Sequence, residues 1–187
     1  MRAVIQYGVA TLLLVLGATS MSEESNPTVV IDTNRGAIEL EIYADKSPIT
    51  ATNFLELVDK DHYDGLIFHR VIDGFMIQAG GFDRNMNQKT AMKTIKNESF
   101  NQVSNATGTI AMARTNDPDS ASAQFYINVA DNDFLDAKGD QAGYAVFGKV
   151  TRGMEVVRDI EESETANEAG HGDVPIEKTV IHSIERK

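Results

Sequence analysis

The chain has 187 residues and a formal net charge of −11, with 28 Asp and Glu against 17 Lys and Arg. This acidic balance argues against nucleic-acid binding, because affinity for a phosphate backbone needs clustered cations. The absence of cysteine excludes disulfides, thiol nucleophiles, and zinc or iron–sulfur sites built from thiolates. The length and the 42% hydrophobic content predict one compact domain.

The N-terminal segment differs in composition from the rest of the chain. Arg2 is the only charged side chain before Glu23, and residues 9–18 are apolar. This block has the length of the hydrophobic region of a secretory signal peptide and is short for a membrane span. Small residues before position 21 predict cleavage after Ser20. We therefore interpret residues 1–20 as a signal peptide and residues 21–27 as a flexible segment. The alternatives are an uncleaved membrane anchor, or a cytoplasmic protein that starts at Met21.

A β-hairpin is the first predicted element of the domain. Residues 29–34 and 37–43 read as strands, and Gly36 allows a tight turn between them. In the second strand apolar and acidic side chains alternate, which predicts one buried face and one solvent-exposed face.

A helix is predicted next. Ser47 is a favoured capping residue and Pro48 suits the first helical turn. Apolar side chains from Ala51 to Val58 recur on one face, and the helix is expected to end before Asp64.

The remaining chain is predicted to be mostly strands. Residues 66–82 suit two strands joined by a glycine turn, whereas residues 83–105 are polar and read as long loops with short strands inside. Residues 161–172, acidic and containing glycine, are interpreted as a mobile surface loop. Further strands are predicted at 108–113, 124–129, 145–150 and 179–185, and a second helix at 154–162. This many short strands can close into an antiparallel barrel, which removes exposed sheet edges.

The chain contains none of the common motifs for covalent or nucleotide chemistry. Nucleophile elbows, zincin motifs, P-loops and dinucleotide fingerprints do not occur. The histidines lack metal-ligand spacing, so we expect neither a metal nor a cofactor. His69 is interpreted as a structural residue on the face of its strand opposite to Arg70.

Residues 68–81 form an unusual segment. They place one arginine and one glutamine among Phe, Met and Ile on two strands joined by Gly74. Because residues i and i+2 share a face of a strand, Met76 and Gln78 should point the same way. The turn then can bring Arg70 beside them.

This segment resembles the signature F-H-R-V-I-x-G-F-M-x-Q-x-G of the cyclophilin family of peptidyl-prolyl cis–trans isomerases. The resemblance continues in order from about residue 28 to about residue 184, through the blocks 108–113, 122–127, 134–136 and 146–150. It implies a mainly β domain over residues 28–187: a closed eight-stranded antiparallel barrel capped by two α-helices. It also implies isomerase activity toward X–Pro bonds.

The resemblance further implies a set of site residues. Arg70 matches the catalytic arginine of the family. The proline pocket maps onto Phe75, Met76, Tyr126, Phe134 and Leu135, the groove that holds the peptide backbone onto Gln78, Ala113 and Gln124, and a further wall onto Tyr144.

Three of these positions depart from eukaryotic cytosolic members. Phe134 stands in place of Trp, Tyr126 in place of Phe, and Tyr144 in place of His. Phe134 and Tyr144 resemble exported bacterial members and predict weak cyclosporin binding, since the indole N–H is missing.

The expected partners are proline-containing peptides and folding proteins, with the chain acting as a monomer that is periplasmic or otherwise exported. Stable membrane insertion is not expected after signal cleavage. The alternatives are a non-catalytic peptide-binding chaperone that uses the same groove and a small-molecule carrier barrel.

Overall fold

Eight antiparallel strands form the main sheet of the protein, seen in a computed structural model that describes residues 26–91 and 93–187. The strands are β1 (Thr28–Thr33), β2 (Gly36–Ile42), β3 (Leu66–Ile72), β4 (Met76–Asp83), β5 (Thr109–Met112), β6 (Phe125–Asn128), β7 (Val146–Arg152) and β10 (Ile181–Arg186). A separate hairpin pairs β8 (Thr165–Glu168) with β9 (His171–Pro175). The predicted signal peptide and residues 21–25 lie outside the described residues. Within the described ranges, no helix has the length and apolarity to cross a bilayer.

The main sheet is nearly closed into a barrel. Its strand order is β10-β1-β2-β7-β5-β6-β4-β3. The two end strands meet through the Ile67–Val180 bridge, and the Gly65 amide donates to the Ile181 carbonyl at 2.9 Å. These contacts satisfy backbone groups that an open sheet would leave exposed. The predicted eight-stranded antiparallel barrel is confirmed.

Helix α1 (Pro48–Val58) begins where its sequence predicts, but its cap comes from elsewhere. The Ser47 hydroxyl donates to the Val146 carbonyl and does not cap the helix. The Glu98 carboxylate accepts instead from the backbone amides of Ile49 and Thr50, at 3.1 and 2.8 Å. The negative charge of Glu98 also interacts favourably with the positive end of the helix dipole at the N-terminus of α1. The helix ends at Val58, which agrees with the expectation that it ends before Asp64. The chain continues as turns between the helix and β3.

Helix α2 (Met154–Glu161) packs through Val157 and Ile160, both fully buried. Gly153 precedes it with a φ of 86° and lies against β2. A Cβ at this position would meet the Ala37 carbonyl oxygen at 2.2 Å, so glycine is required for the close approach.

Aromatic rings fill the barrel interior. Phe54 of α1 contacts Tyr63, Phe125 and Phe147 with ring centroids 5.1 to 5.7 Å apart. All four side chains are almost fully buried. The interior of the barrel is therefore filled by side chains and leaves little space for a bound ligand. This packing argues against the alternative of a small-molecule carrier.

Two loop predictions need correction. Residues 161–172 were interpreted as a mobile surface loop, but they contain the end of α2 and most of the β8–β9 hairpin. The hairpin was missed because β8 is exposed along its whole length and shows no alternation. Conversely, among the described residues between 84 and 105 there is no named strand, only the isolated Phe82–Gln88 bridge. Asp83 organises the first turn there by accepting from the amides of Asn85 and Asn87.

Candidate active site

Strands β3 and β4 place Arg70 directly beside Gln78. The two residues are cross-strand partners, and Ile72 pairs with Met76 on either side of the turn at Gly74. Gly74 has a φ of 65°, a conformation that glycine adopts without strain. The predicted juxtaposition of Arg70, Met76 and Gln78 is therefore present in the fold.

A β-bulge lies immediately before Arg70. Phe68 pairs with Ala79 and Arg70 pairs with Gln78, so β3 contains one residue more than β4 in this interval. The extra residue is His69, and bulges redirect neighbouring side chains. His69 and Arg70 consequently line one cavity, which corrects the expectation that they face opposite sides. His69 itself is buried, with 4% of its surface exposed.

A small cavity of about 140 Å³ opens on the outer face of the sheet. Its position follows from strand alternation: Ile77 and Ile127 belong to the interior core, whereas Met76 and Tyr126 belong to the outer cluster. The lining residues are Arg70, Phe75, Met76, Gln78, Ala113, Arg114, Tyr126, Leu135 and Tyr144. An apolar and aromatic wall thus faces two arginines and one glutamine.

The two remaining predicted site residues lie at the borders of this cavity. Phe134 stacks on Phe75, with ring centroids 5.7 Å apart. Gln124 accepts a hydrogen bond of 2.8 Å from the Gln78 side-chain amide. The fold therefore brings together every residue assigned to the site from the sequence.

A buried amide network supports the floor of the cavity. The Tyr126 hydroxyl donates to Asn105 Oδ1 at 2.7 Å, and Asn128 Nδ2 reaches the same oxygen at 3.3 Å. Asn132 connects this network to the Phe75 carbonyl, to which its side-chain amide donates at 2.8 Å. Burial, with smaller contributions from Tyr144 and Asp136, raises the pKa of Tyr126 well above its ordinary value, so the phenol stays protonated and donates.

Arg114 is a lining residue that the sequence analysis missed. Its guanidinium lies over the Tyr144 ring, 4.4 Å from the ring centroid. It also donates to the carbonyls of Ala142 and Gly143, at 3.0 and 3.1 Å. These contacts hold the loop that carries Tyr144 against the cavity. Nothing distinguished Arg114 in the sequence except its position next to Ala113.

The other side of Arg70 faces the β8–β9 hairpin. Asp173 Oδ2 lies 3.5 Å from Arg70 Nε, and both side chains are a little under half exposed. A second, larger cavity of about 550 Å³ lies here and includes His69, Gln124 and His171 in its lining. No pattern in the sequence had indicated the contact between Arg70 and Asp173. Among the described residues, no group of three or more His, Cys, Asp or Glu side chains has the arrangement of a metal site.

Comparison with known proteins identifies the family. The family model for cyclophilin type peptidyl-prolyl cis-trans isomerase/CLD matches residues 28–186. The chain belongs to this family. This cyclophilin-type chain is 49% identical over 176 residues to a peptidyl-prolyl cis-trans isomerase of Acinetobacter baylyi, covering 93% of this chain and 94% of that protein. It is 48% identical over 159 residues to peptidyl-prolyl cis-trans isomerase B of Escherichia coli, covering 83% and 97%.

Solved cyclophilin structures share the fold. A cyclophilin type isomerase of Cryptosporidium parvum, crystallised in the presence of the dipeptide Ala-Pro, superimposes with a TM-score of 0.70 at 25% identity. The match covers 84% of this cyclophilin and 96% of the other chain. The activity of the chain is accordingly that of its family, isomerisation of peptidyl-prolyl bonds, and its family binds proline-containing peptides.

Proposed function

We propose that Arg70 catalyses rotation about X–Pro bonds whose proline ring occupies the 140 Å³ cavity. This proposal depends on one observation: the Arg70 guanidinium lies beside Gln78 at a small cavity whose wall includes Phe75, Met76 and Leu135. The Arg70 side chain is 42% exposed, so a peptide arriving from solvent can reach it.

The chemistry of the reaction explains the need for an arginine. An X–Pro amide resists rotation by a barrier of about 18–20 kcal/mol, because the nitrogen lone pair is delocalised into the carbonyl. In the twisted transition state the lone pair returns to nitrogen and becomes a hydrogen-bond acceptor. Arg70 is permanently charged and rich in N–H donors, and it can bind this nitrogen more strongly in the transition state than in either planar isomer.

The other cavity residues have binding roles in this proposal. Phe75, Met76 and Leu135 hold the proline ring while the preceding carbonyl swings. Gln78, fixed by its hydrogen bond to Gln124, contacts the peptide backbone beside Arg70. A 10⁵-fold acceleration requires about 7 kcal/mol, a value within reach of one preorganised charged donor together with fixed substrate geometry. No covalent intermediate is formed.

The test is cis–trans exchange of a short X–Pro peptide, followed by NMR. Arg70→Ala is expected to lower turnover about 10²- to 10³-fold, the loss typical of one key donor. Arg152→Ala, an exposed arginine of β7, is the matched control and should leave turnover unchanged. A folded Arg70→Ala protein with wild-type turnover would overturn the proposal.

The same measurement addresses the second candidate function, a non-catalytic peptide-binding chaperone. Such a protein would bind the peptide without accelerating exchange. The presence of Arg70 and Gln78 at the cavity favours catalysis, since a binder has little use for a transition-state donor.

We further propose that the chain is exported and acts on proteins folding outside the cytoplasm, in the periplasm or an equivalent compartment. The apolar block at residues 9–18 supports this proposal. The mass and the compartment of the mature protein test it together. A chain shortened by about twenty residues and recovered outside the cytoplasm is expected. An intact chain recovered with membranes would indicate an anchor, and a chain starting at Met21 that stays in the cytoplasm would overturn export.

A further inference from the structure

The β8–β9 hairpin lies against β3, the strand that carries Arg70, and its Asp173 side chain lies close to Arg70. Among the residues that the structure describes, the Arg70 side chain donates no hydrogen bond, and Asp173 is its one acidic partner within 4 Å. An unrestrained arginine on a sheet surface samples many rotamers, and fixing it costs conformational entropy. A catalytic arginine therefore benefits from a partner that limits its orientation before the substrate arrives.

The geometry of the contact leaves the reactive part of the guanidinium available. The Asp173 carboxylate is nearest to Nε, at 3.5 Å. The two terminal nitrogens of Arg70 are left to donate to a peptide in the neighbouring cavity. We propose that Asp173 is a positioning residue, which holds Arg70 by its Nε edge in the orientation that catalysis needs; this inference rests on the proposed role of Arg70.

The hairpin is built as a fixed platform for this side chain. Val174, next to Asp173, is 1% exposed and packs in a cluster with Ile67 and Phe82. On the other side, the His171 ring lies 4.7 Å from the Phe82 ring, measured between centroids. Asp173 thus stands between two residues that are both packed against the Phe82 side chain.

The base of the hairpin is also tied down. The Ile176 amide donates to the Glu164 carbonyl at 2.9 Å. Lys178 Nζ donates to the Pro175 carbonyl at 2.9 Å and also pairs with the Glu168 carboxylate. These contacts join residues at both ends of β8 to the segment that follows β9, so the hairpin is fixed by hydrogen bonds as well as by packing.

The backbone at Asp173 supports a role for its side chain. Its φ is 59°, in the left-handed region that non-glycine residues rarely occupy. Such conformations concentrate at functional sites, where the surrounding structure maintains them. Because Asn tolerates this conformation as well as Asp does, Asp173→Asn removes the charge with little change to the backbone preference.

The experiment compares Asp173→Asn with the matched control Asp59→Asn. Asp59 pairs with Arg186 at 2.6 Å, at similar exposure and away from the cavity. Asp173→Asn is expected to lower turnover of the X–Pro peptide about 3- to 10-fold with its Kd changed less than twofold, whereas Asp59→Asn leaves both values unchanged. A Kd that rises in step with the loss of turnover would overturn the positioning role.

A double-mutant cycle separates this inference from the proposed function. If Asp173 acts through Arg70, adding Asp173→Asn to Arg70→Ala causes no further loss of turnover. A further 3- to 10-fold loss would show that Asp173 acts by another route and overturn the inference. If Arg70→Ala alone leaves turnover intact, the proposed function fails. The NMR signal of the Arg70 Nε–H still tests the contact with Asp173 independently of turnover. A shift of this signal in Asp173→Asn supports the pairing, and an unchanged signal overturns it.

Discussion

The rings of Phe75 and Phe134 stack with their centroids 5.7 Å apart and their planes inclined by 24°. Phe134 is 61% exposed, an unusual position for a large apolar side chain, and it covers one side of Phe75. The pair forms the edge of the cavity proposed for the proline ring. An exposed aromatic pair at this place is consistent with a surface that a peptide covers when it binds.

Removing the inner ring of this pair should weaken substrate binding. Phe75→Ala deletes apolar contact worth about 1.5–3 kcal/mol when fully made, or roughly a 10- to 100-fold rise in peptide Kd. Turnover at low substrate should fall by the same factor. Peptide titration and NMR exchange measure the two quantities. Phe100→Ala, at another exposed phenylalanine that does not line the cavity, is the control and should change neither.

Phe134→Trp is expected to improve cyclosporin affinity. The substitution supplies the indole N–H that this chain lacks, at a position where most of the ring is open to solvent and a larger ring meets little resistance. One added hydrogen bond is worth about 0.5–1.5 kcal/mol, which corresponds to roughly a 2- to 10-fold lower Kd. Calorimetric titration provides the value, with Phe100→Trp as the control. Equal affinity in wild type and Phe134→Trp would contradict the role assigned to position 134.

Tyr126→Phe should destabilise the protein more than it slows the reaction. The change removes the 2.7 Å bond to Asn105 but keeps the ring in the cavity wall. Within the described part of the chain, Asn105 Oδ1 then keeps only the longer contact with Asn128 Nδ2, at 3.3 Å. We expect this loss to lower the free energy of unfolding by about 1–2 kcal/mol, measured by urea denaturation. Tyr144→Phe is the control, because among the described residues the Tyr144 hydroxyl has no hydrogen-bond partner, and its unfolding free energy should stay within about 0.5 kcal/mol of wild type.

The stability of the protein should fall between about pH 6.5 and pH 4 because of His69. Burial, assisted by His171 and Arg70, lowers the pKa of His69 to about 4. Between its unfolded and folded pKa values, only the unfolded state takes up the proton, so stability present above pH 6.5 is lost as the pH falls toward 4. The shift corresponds to about 3 kcal/mol.

Urea denaturation across this pH range measures the effect. His69→Gln cannot titrate, so its unfolding free energy should depend less steeply on pH than that of wild type. His182→Gln, at an exposed histidine of β10, should retain the wild-type slope. If His69→Gln and wild type show parallel pH profiles, the buried neutral state of His69 is wrong.

Local patterns in the sequence were sufficient for most of the barrel. The eight strands of the sheet follow from alternation and turn residues, as in β2, where buried Ile38, Leu40 and Ile42 alternate with partly exposed neighbours. The start of α1 likewise follows from Pro48. The resemblance to the cyclophilin family, in residues 68–81 and in later blocks, led to all the residues that line the 140 Å³ cavity except Arg114.

Features made by contacts distant in the chain were not predictable in this way. Glu98 caps α1 from about fifty positions away, in place of Ser47. The β8–β9 hairpin has short, exposed strands and depends on Val174 packing against Ile67 and Phe82, which no local period reveals.

The strand sequence by itself determined that Met76 and Gln78 share a face near the turn at Gly74, because side chains alternate along a strand with a period of two. The resemblance to the cyclophilin family supplied the other site residues. Only the tertiary structure decided how Arg70 is held. The bulge at His69 and the approach of Asp173 depend on the pairing of β3 with β4 and on the packing of the hairpin. Arg70 and Asp173 are about a hundred positions apart, and the geometry of their contact is set by the folded barrel rather than by any local pattern.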